Sequence, residues 1–594
     1  MDKDKISSST KGVMGRLLSY ARPHWKAFSM VLFLILILTG TSLVQPRLIQ
    51  WIIDGHLIQL TPGLPDEALR SELLQIGVVA LVYLSTVLVN FVANYAHFWI
   101  LNRTGQTILL DLRQQVYDHV MSLSMAFFDT NPLGNLVTRI TNDTENLNEM
   151  FTSVLTSLFQ NLVTILGIIV ILLTMNLRLG LMVLALFPVI LGVSIVFRNI
   201  IQKIYEKQRR ILSRINNHLS ENLSGMSVIQ MFHQENKVYQ EFDEADRAYL
   251  KESKGEVRSF ATYRPAIELI RSLGIAMLLW YGGGSYLRET LSFGVLYAYI
   301  EYIQRFFYPI LGLAETYNVI QSATTSSKRI FHLLDEESSV ENKTQGIMVD
   351  RLSGKVEFQH VWFAYKEDDW VLKDVSFVIE PGEFVAFVGA TGAGKSSIMY
   401  LISRFYDIQK GTILIDGIDI KEYDSQSLRQ AIGVVQQDVF LFSGTVEENI
   451  TLERNHISKV DAIHAATLVN ADLFIQRLPG GYEAPVMERG ATFSAGQRQL
   501  LSYARTVAAD PSMLILDEAT ANIDTETELL IQDAIIKMSR NRTTIAVAHR
   551  ISTIADADKI IVMNHGRIEE EGTKDQLLEK DGIFRVLYEL QFDR

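Results

Sequence analysis

The residues Gly389-Ala390-Thr391-Gly392-Ala393-Gly394-Lys395-Ser396-Ser397 carry the spacing G-x-x-x-x-G-K-S directly after the apolar run Phe384–Val388. Glycines so placed let a backbone turn its N–H groups inward around phosphate oxygens, and a helix starting near Lys395 adds the positive end of its dipole. Lys395 can reach the β and γ oxygens of a nucleoside triphosphate, and the Ser396 hydroxyl suits a Mg²⁺ that bridges them. A second apolar run, Met513–Leu516, ends in the carboxylates Asp517 and Glu518. Beside a phosphate loop, Asp517 is expected to face the Mg²⁺ and Glu518 the γ-phosphate, where a general base orients water. For Glu518 taken alone, a solvated strand end is the alternative. His549 follows a third apolar run, Thr544–Val547. A lone histidine is usually a surface or packed one, so its place near the γ-phosphate rests on the whole set.

These residues all lie beyond about Lys355, where short Val/Ile/Leu segments alternate with charged, helix-like stretches. Earlier, the chain returns repeatedly to long apolar runs. Of its 594 residues 48% are hydrophobic and 21% charged, and the mean hydropathy is +0.15, so part of the chain is expected to live in lipid. Twelve prolines are too few for a disordered chain. A net charge of −12 leaves no general basic surface, which excludes nucleic acid as a main partner. With no cysteine, a disulfide scaffold and thiolate chemistry are excluded too.

Runs near the roughly 20 residues that cross a bilayer predict six helices, at about Phe28–Ile53, Ile76–Leu101, Leu155–Met175, Leu179–Ile200, Ala266–Gly282 and Phe293–Leu313. Val31–Leu38 alone also suits a signal-peptide core, but no small-residue cleavage site follows it and five more spans do. Lys3, Lys5, Lys11, Arg16, Arg22 and Lys26 precede the first span, while the next loop is acidic, so both termini are expected in the cytoplasm. The connections at about 102–151 and 202–263 are long, polar and helix-patterned. Each is broken once, at Phe127–Leu136 and at Ser224–Ser227, as at a hairpin tip that could dock on a cytosolic partner or simply turn in solvent. The expected organisation is a cytoplasmic segment at 1–26, an all-α membrane domain at 27–334, a polar linker at 335–354 and an α/β P-loop ATPase domain at 355–594.

Between the phosphate loop and Asp517 lies Phe493-Ser494-Ala495-Gly496-Gln497, which resembles the Leu-Ser-Gly-Gly-Gln signature of ABC transporters. The rest of that family's set follows in order. Tyr365 matches the aromatic that stacks on adenine, and Gln437 in Val434-Val435-Gln436-Gln437-Asp438 matches the glutamine between nucleotide and membrane domain. Glu488-Arg489-Gly490 is similar to the exporter loop before the signature. Ala521-Asn522-Ile523-Asp524 resembles the D-loop, and Ala548-His549-Arg550 carries the switch histidine. The resemblance covers nearly the whole chain and implies an ABC half-exporter that uses ATP and Mg²⁺. Gly389 to Ser397, Tyr365, Gln437, Asp517 and His549 would hold the nucleotide, with Ser396, Gln437 and Asp517 toward the metal and Glu518, His549 and Gln437 in catalysis. Ser494, Ala495, Gly496, Gln497 and Asp524 would reach across to ATP on a second chain.

Ala495 stands where the family has a glycine, and Phe493 where it has leucine, while this chain's own P-loop, Glu518 and His549 match. A Cβ at a position of close backbone approach should weaken a phosphate contact. The combination resembles one subunit of a bacterial heterodimeric multidrug exporter in the plasma membrane, paired with a different half-exporter whose signature is intact. A homodimer is the alternative. A hydrophobic or amphiphilic small molecule is the expected cargo, with a lipid flippase or a non-transporting regulatory ATPase as rivals. No peptidase domain precedes the first span, which disfavours a peptide-processing exporter. Within the spans, Glu268, Glu301 and Arg305 suit either a cavity lining or the pairs Glu268–Arg271 and Glu301–Arg305. Tyr297, Tyr302, Phe306 and Phe307 suit either an aromatic drug surface or helix packing.

Overall fold

The structure, a computed structural model, describes residues 10–58, 65–340, 346–366, 369–454, 456–517, 524–547 and 556–592. It divides into two compact units, one of residues 1–121 and 134–336 and the other of residues 122–133 and 337–594.

The first unit is helical. Its long elements are Trp25–Ile52, Asp66–Ser122, Leu155–Met175, Phe187–Ser224, Glu235–Leu287 and Phe293–Leu334. At 1.5 Å per residue, the 57 residues of Asp66–Ser122 extend about 85 Å, nearly three times the hydrocarbon thickness. A helix of that length has residues to spare beyond a single crossing. Among the described residues five helical stretches are long and apolar enough to cross a membrane: Arg22–Leu57, Asp66–Ser122, Leu133–Met175, Leu177–Ser224 and Glu235–Leu287. The sixth expected span forms as the helix Phe293–Leu334 but is not among those five. It interrupts its apolar residues with Glu301, Gln304, Arg305 and several tyrosines, and it spends that polarity inside the unit. Tyr299 donates to the Leu172 and Asn176 carbonyls at 2.5 and 2.8 Å, and Tyr302 to the Leu43 carbonyl at 2.6 Å.

Pro46 lies inside Trp25–Ile52 and has no N–H for the carbonyl four residues earlier, that of Ser42. Arg305 donates to that carbonyl and, at 3.3 Å, to Gln45. Arg305 also lies 3.9 Å from Glu301, and Arg271 pairs with Glu268. Both ion pairs read from the spacing therefore form. Tyr302, Phe306 and Phe307 are buried in one core cluster of the unit, packed against Phe187 and its neighbours. In this structure they pack helices together, and Tyr297 is half-buried.

The second unit is α/β. A six-stranded sheet runs in the order Arg567–Gly572, Lys559–Asn564, Phe384–Gly389, Thr543–Val547, Met513–Asp517 and Ile432–Val435. All its neighbours are parallel except the first pair. The four inner strands have nearly continuous buried side chains, as a sheet covered on both faces requires. An antiparallel sheet, ordered Trp370–Ile379, Val356–Ala364, Lys410–Ile415 and Ile418–Asp419, shares one core with it through Phe358, Phe377 and Phe387.

Two expectations about boundaries change. Residues 122–133, read as part of a membrane-domain loop, belong to the second unit: Met125–Thr130 is a short helix whose Ala126 packs on the ATPase core. The stretch 335–354, read as a linker, is bound to the second unit over its later part. Ile347 exchanges backbone hydrogen bonds with Glu422 and Asp424, and Leu352 is buried in the core. The other hairpin tip has the expected break, with Gly225 separating Phe187–Ser224 from the short helix Met226–Met231.

Candidate nucleotide site

The strand Phe384–Gly389 delivers the chain into the phosphate loop, and the helix Lys395–Ile402 carries it away. Gly394 caps that helix at φ +98°, and a Cβ there would lie 2.7 Å from Leu372, so both backbone and space require glycine. Gly392 has φ +84°, yet a Cβ would meet no atom within 4 Å. Its neighbourhood is open, as a cradle for phosphate must be.

Lys395 is 5% exposed and donates to the carbonyls of Gly389 and Ala390 at 2.7 and 3.0 Å. Burial pushes its pKa below the ordinary lysine value, and the charge of Asp517 pulls it back. Conversely, burial raises the Asp517 carboxyl above the usual carboxylate range, while Lys395 and a hydrogen bond from Ser396 lower it. The two groups are thus electrostatic neighbours across adjoining elements. Asp517 Oδ1 is buried without a hydrogen-bond partner among the described residues, an unusual and costly state for a carboxylate oxygen. Together with the Ser396 hydroxyl it forms an all-oxygen donor set that fits a hard divalent cation.

Tyr365 is 46% exposed, so one side of its ring is open to a base. The rest of the side chain is held: its hydroxyl shares a 3.0 Å hydrogen bond with Ser397, and its ring meets Phe363 and Tyr406 edge-on at 4.8 and 5.1 Å. Tyr406 in turn donates to Asp129 on the short helix Met125–Thr130. Sequence reasoning missed Tyr406, because nothing local to it marks a contact with a residue 277 positions away.

Gln437 is exposed just beyond the end of Ile432–Val435, the strand that pairs with Met513–Asp517. Arg505 anchors the segment after it, donating to Asn449 and to the Phe440 carbonyl. Arg505 belongs to the helix Ala495–Ala508, whose N-cap is Ser494. Ser494 and Gln497 form a reciprocal capping box, at 3.2 Å from the Gln497 N–H to Ser494 Oγ and 3.0 Å from the Ser494 N–H to Gln497 Oε1. Ala495 is the first helical residue and is exposed, while Gly496 is buried. Phe493 is a core residue that meets Phe474 edge-on at 6.2 Å, so its difference from leucine is a change of packing. Asp524 caps the helix Thr525–Ser539 through the Thr527 N–H at 2.9 Å. Glu518, Ala521, Asn522, Ile523, Ala548, His549 and Arg550 lie outside the described residues. The structure therefore brings together the phosphate loop, Lys395, Ser396, Asp517 and the Tyr365 ring, and presents the signature helix on a separate exposed turn.

Comparison with known proteins agrees with this arrangement. The ABC transporter transmembrane region family matches residues 28–310, and the ABC transporter family matches residues 372–521. The uncharacterized ABC transporter ATP-binding protein YknV of Bacillus subtilis is 40% identical over 98% of this chain and 94% of its own length. From the same organism, the "probable multidrug resistance ABC transporter ATP-binding/permease protein" YheH is 38% identical over 84% of this chain and 74% of its own. A bacterial Atm1-family ABC exporter solved with ATP bound is 28% identical, with a TM-score of 0.79 over 95% of this chain and 98% of that one. This chain belongs to the ABC transporters, as a multi-pass exporter half whose helical membrane domain is fused to the ATPase that drives it.

Proposed function

We propose that this chain is one subunit of a heterodimeric exporter that moves hydrophobic or amphiphilic compounds out of a bacterial cell. It stands in the plasma membrane with both termini and the ATPase domain in the cytoplasm. The pairing rests on one contrast, between a phosphate loop with every expected group in place and a signature helix that opens with Ala495. The cargo class draws on the multidrug description of relatives such as YheH.

In this reading Tyr365 stacks on adenine, and the backbone from Gly389 to Gly394 with Lys395 holds the β- and γ-phosphates. Ser396, Asp517 and Gln437 would hold Mg²⁺, which would supply positive charge against the phosphate oxygens. Glu518 polarises the attacking water and accepts its proton, and His549 fixes the γ-phosphate. Ser494, Ala495, Gly496, Gln497 and Asp524 face ATP held by the partner chain. Transport into inverted membrane vesicles carrying this chain and a candidate partner, followed with an amphiphilic cationic dye, tests the function. ATP-dependent accumulation that stops with Lys395→Ala is the expected result, and ATP hydrolysis without accumulation of any amphiphile would refute export.

A further inference from the structure

At the end of the helical unit where the connections are short lies a cavity of about 980 Å³. Two guanidinium groups from different helices line it, Arg178 from the first turn of the helix Leu177–Leu184 and Arg288 from the C-cap of Glu235–Leu287. No Asp or Glu lines it, and neither arginine pairs with a carboxylate among the described residues. The Asn176 side-chain oxygen is committed to the N–H groups of Arg178 and Leu179, at 3.1 and 3.2 Å, so its amide can offer an occupant only N–H. Tyr281, Ser285 and Thr290 add hydroxyls to the lining, those of Ser285 and Thr290 committed to backbone carbonyls, so the charge on the cavity wall comes from the two guanidinium groups.

Its other part is apolar. Leu179, Met182 and Met277 line this cavity and also close a gap of about 10 Å³ between the helices, beside Leu186 and Gly274, so behind them the helices are packed. Trp280, 87% exposed, flanks the opening. The Gly284 backbone adds width, since a Cβ there would meet nothing within 4 Å. Isolated arginines and tryptophans at helix ends are expected of any membrane protein. Here, though, the two charges line one space from separate helices, and the wall of that space between them carries the apolar side chains Leu179, Met182 and Met277. The volume is at the upper end of ordinary ligand clefts, enough for a head group and the start of its chains.

We infer that this cavity binds an anionic phospholipid, its phosphate between Arg178 and Arg288 and its acyl chains along Met182 and Met277. The site shares no residue with the nucleotide machinery, and the inference does not depend on the cargo proposed above.

Trp280 allows a direct test. The full chain is reconstituted in lipid nanodiscs of phosphatidylcholine with increasing fractions of brominated phosphatidylglycerol or brominated phosphatidylcholine. The fluorescence quenching that disappears in Trp280→Phe reports the cavity. Half-maximal quenching is expected at about a tenfold lower fraction of the anionic lipid, as two juxtamembrane charges warrant. The double variant Arg178→Gln/Arg288→Gln should erase that preference while ATP hydrolysis persists, and Arg178→Lys/Arg288→Lys should retain most of it. Equal quenching by both lipids, or a preference that survives the Gln pair, would overturn the inference. So would displacement of the anionic lipid by inorganic phosphate, which would make a free anion the ligand.

Discussion

The phenolic hydroxyl of Tyr406 donates to the carboxylate of Asp129, tying the short helix Met125–Thr130 to the aromatic group that includes Tyr365. Burial and the neighbouring carboxylate hold the Tyr406 hydroxyl above its ordinary pKa, so it remains a donor throughout the physiological range. Tyr406→Phe keeps the ring contacts and removes only this link. Hydrogen bonds to charged groups contribute about 1.5–3 kcal/mol. Basal hydrolysis should stay within about twofold, while its stimulation by an amphiphilic dye should fall several-fold, because the change strikes the tie and leaves the phosphate loop intact. Asp129→Asn, which keeps an acceptor, should lie between. Full stimulation in Tyr406→Phe would reduce the contact to local packing.

Arg305 predicts a different kind of coupling. It donates to the Ser42 carbonyl that Pro46 leaves without a helical partner. Arg305→Gln should therefore destabilise the membrane domain by about 1 kcal/mol, since the carbonyl it would leave unpaired is part-buried. Pro46→Ala restores an N–H to that carbonyl, so in its background the Arg305 substitution should cost much less. A double-mutant cycle on thermal unfolding in detergent measures the difference. Strict additivity would mean that Arg305 does not serve this carbonyl.

These two contacts also mark where the sequence stops being legible. The phosphate loop is readable because its function is local: the glycine φ values, the lysine and the helix start all fall within nine residues. Five spans are readable because lipid demands long apolar runs. The sixth, Phe293–Leu313, is read as a span as well, but the partners of its polar residues, carbonyls at Leu43 and Leu172 on other helices, are revealed by no local pattern. The assignment of residues 122–133 to the ATPase unit depends likewise on a contact with distant Tyr406. Phe493 stands out as a departure in the motif, and only its burial beside Phe474 identifies it as core.

The open side of Tyr365 gives a binding prediction. Stacking on one base contributes about 1–3 kcal/mol, so Tyr365→Ala should raise the KM for ATP about tenfold or more while saturated turnover changes little. Tyr365→Trp should be mild. Tyr365→Phe isolates the 3.0 Å bond to Ser397 and should shift KM by less than about threefold, because the hydroxyl has solvent as an alternative partner. Equal losses with Ala and Trp would assign Tyr365 a packing role.

Glu518→Gln keeps the size and hydrogen-bonding shape of the side chain and removes its basicity. ATP should still bind, and hydrolysis should fall by about 10²–10⁴-fold, as for a lost general base. Steady-state phosphate release with parallel nucleotide binding distinguishes the two effects. Near-normal turnover would remove Glu518 from catalysis.

Ala495 decides between the two assemblies. The capping box uses the Gln497 N–H internally, so the start of the helix offers an anion the N–H groups of Ala495 and Gly496, which have no acceptor within the helix. The Ala495 Cβ stands at that exposed turn, where a γ-phosphate would have to approach. In a heterodimer this turn faces only the partner's nucleotide, in a site that hydrolyses slowly. Ala495→Gly should then leave overall turnover within about twofold, and the chain purified alone should hydrolyse little ATP until its partner is added. In a homodimer both sites use the same turn, and restoring the glycine should raise turnover several-fold by removing a clash at each γ-phosphate. Robust, dye-stimulated hydrolysis by the chain alone, increased further by Ala495→Gly, would overturn the heterodimer and leave the exporter standing as a homodimer.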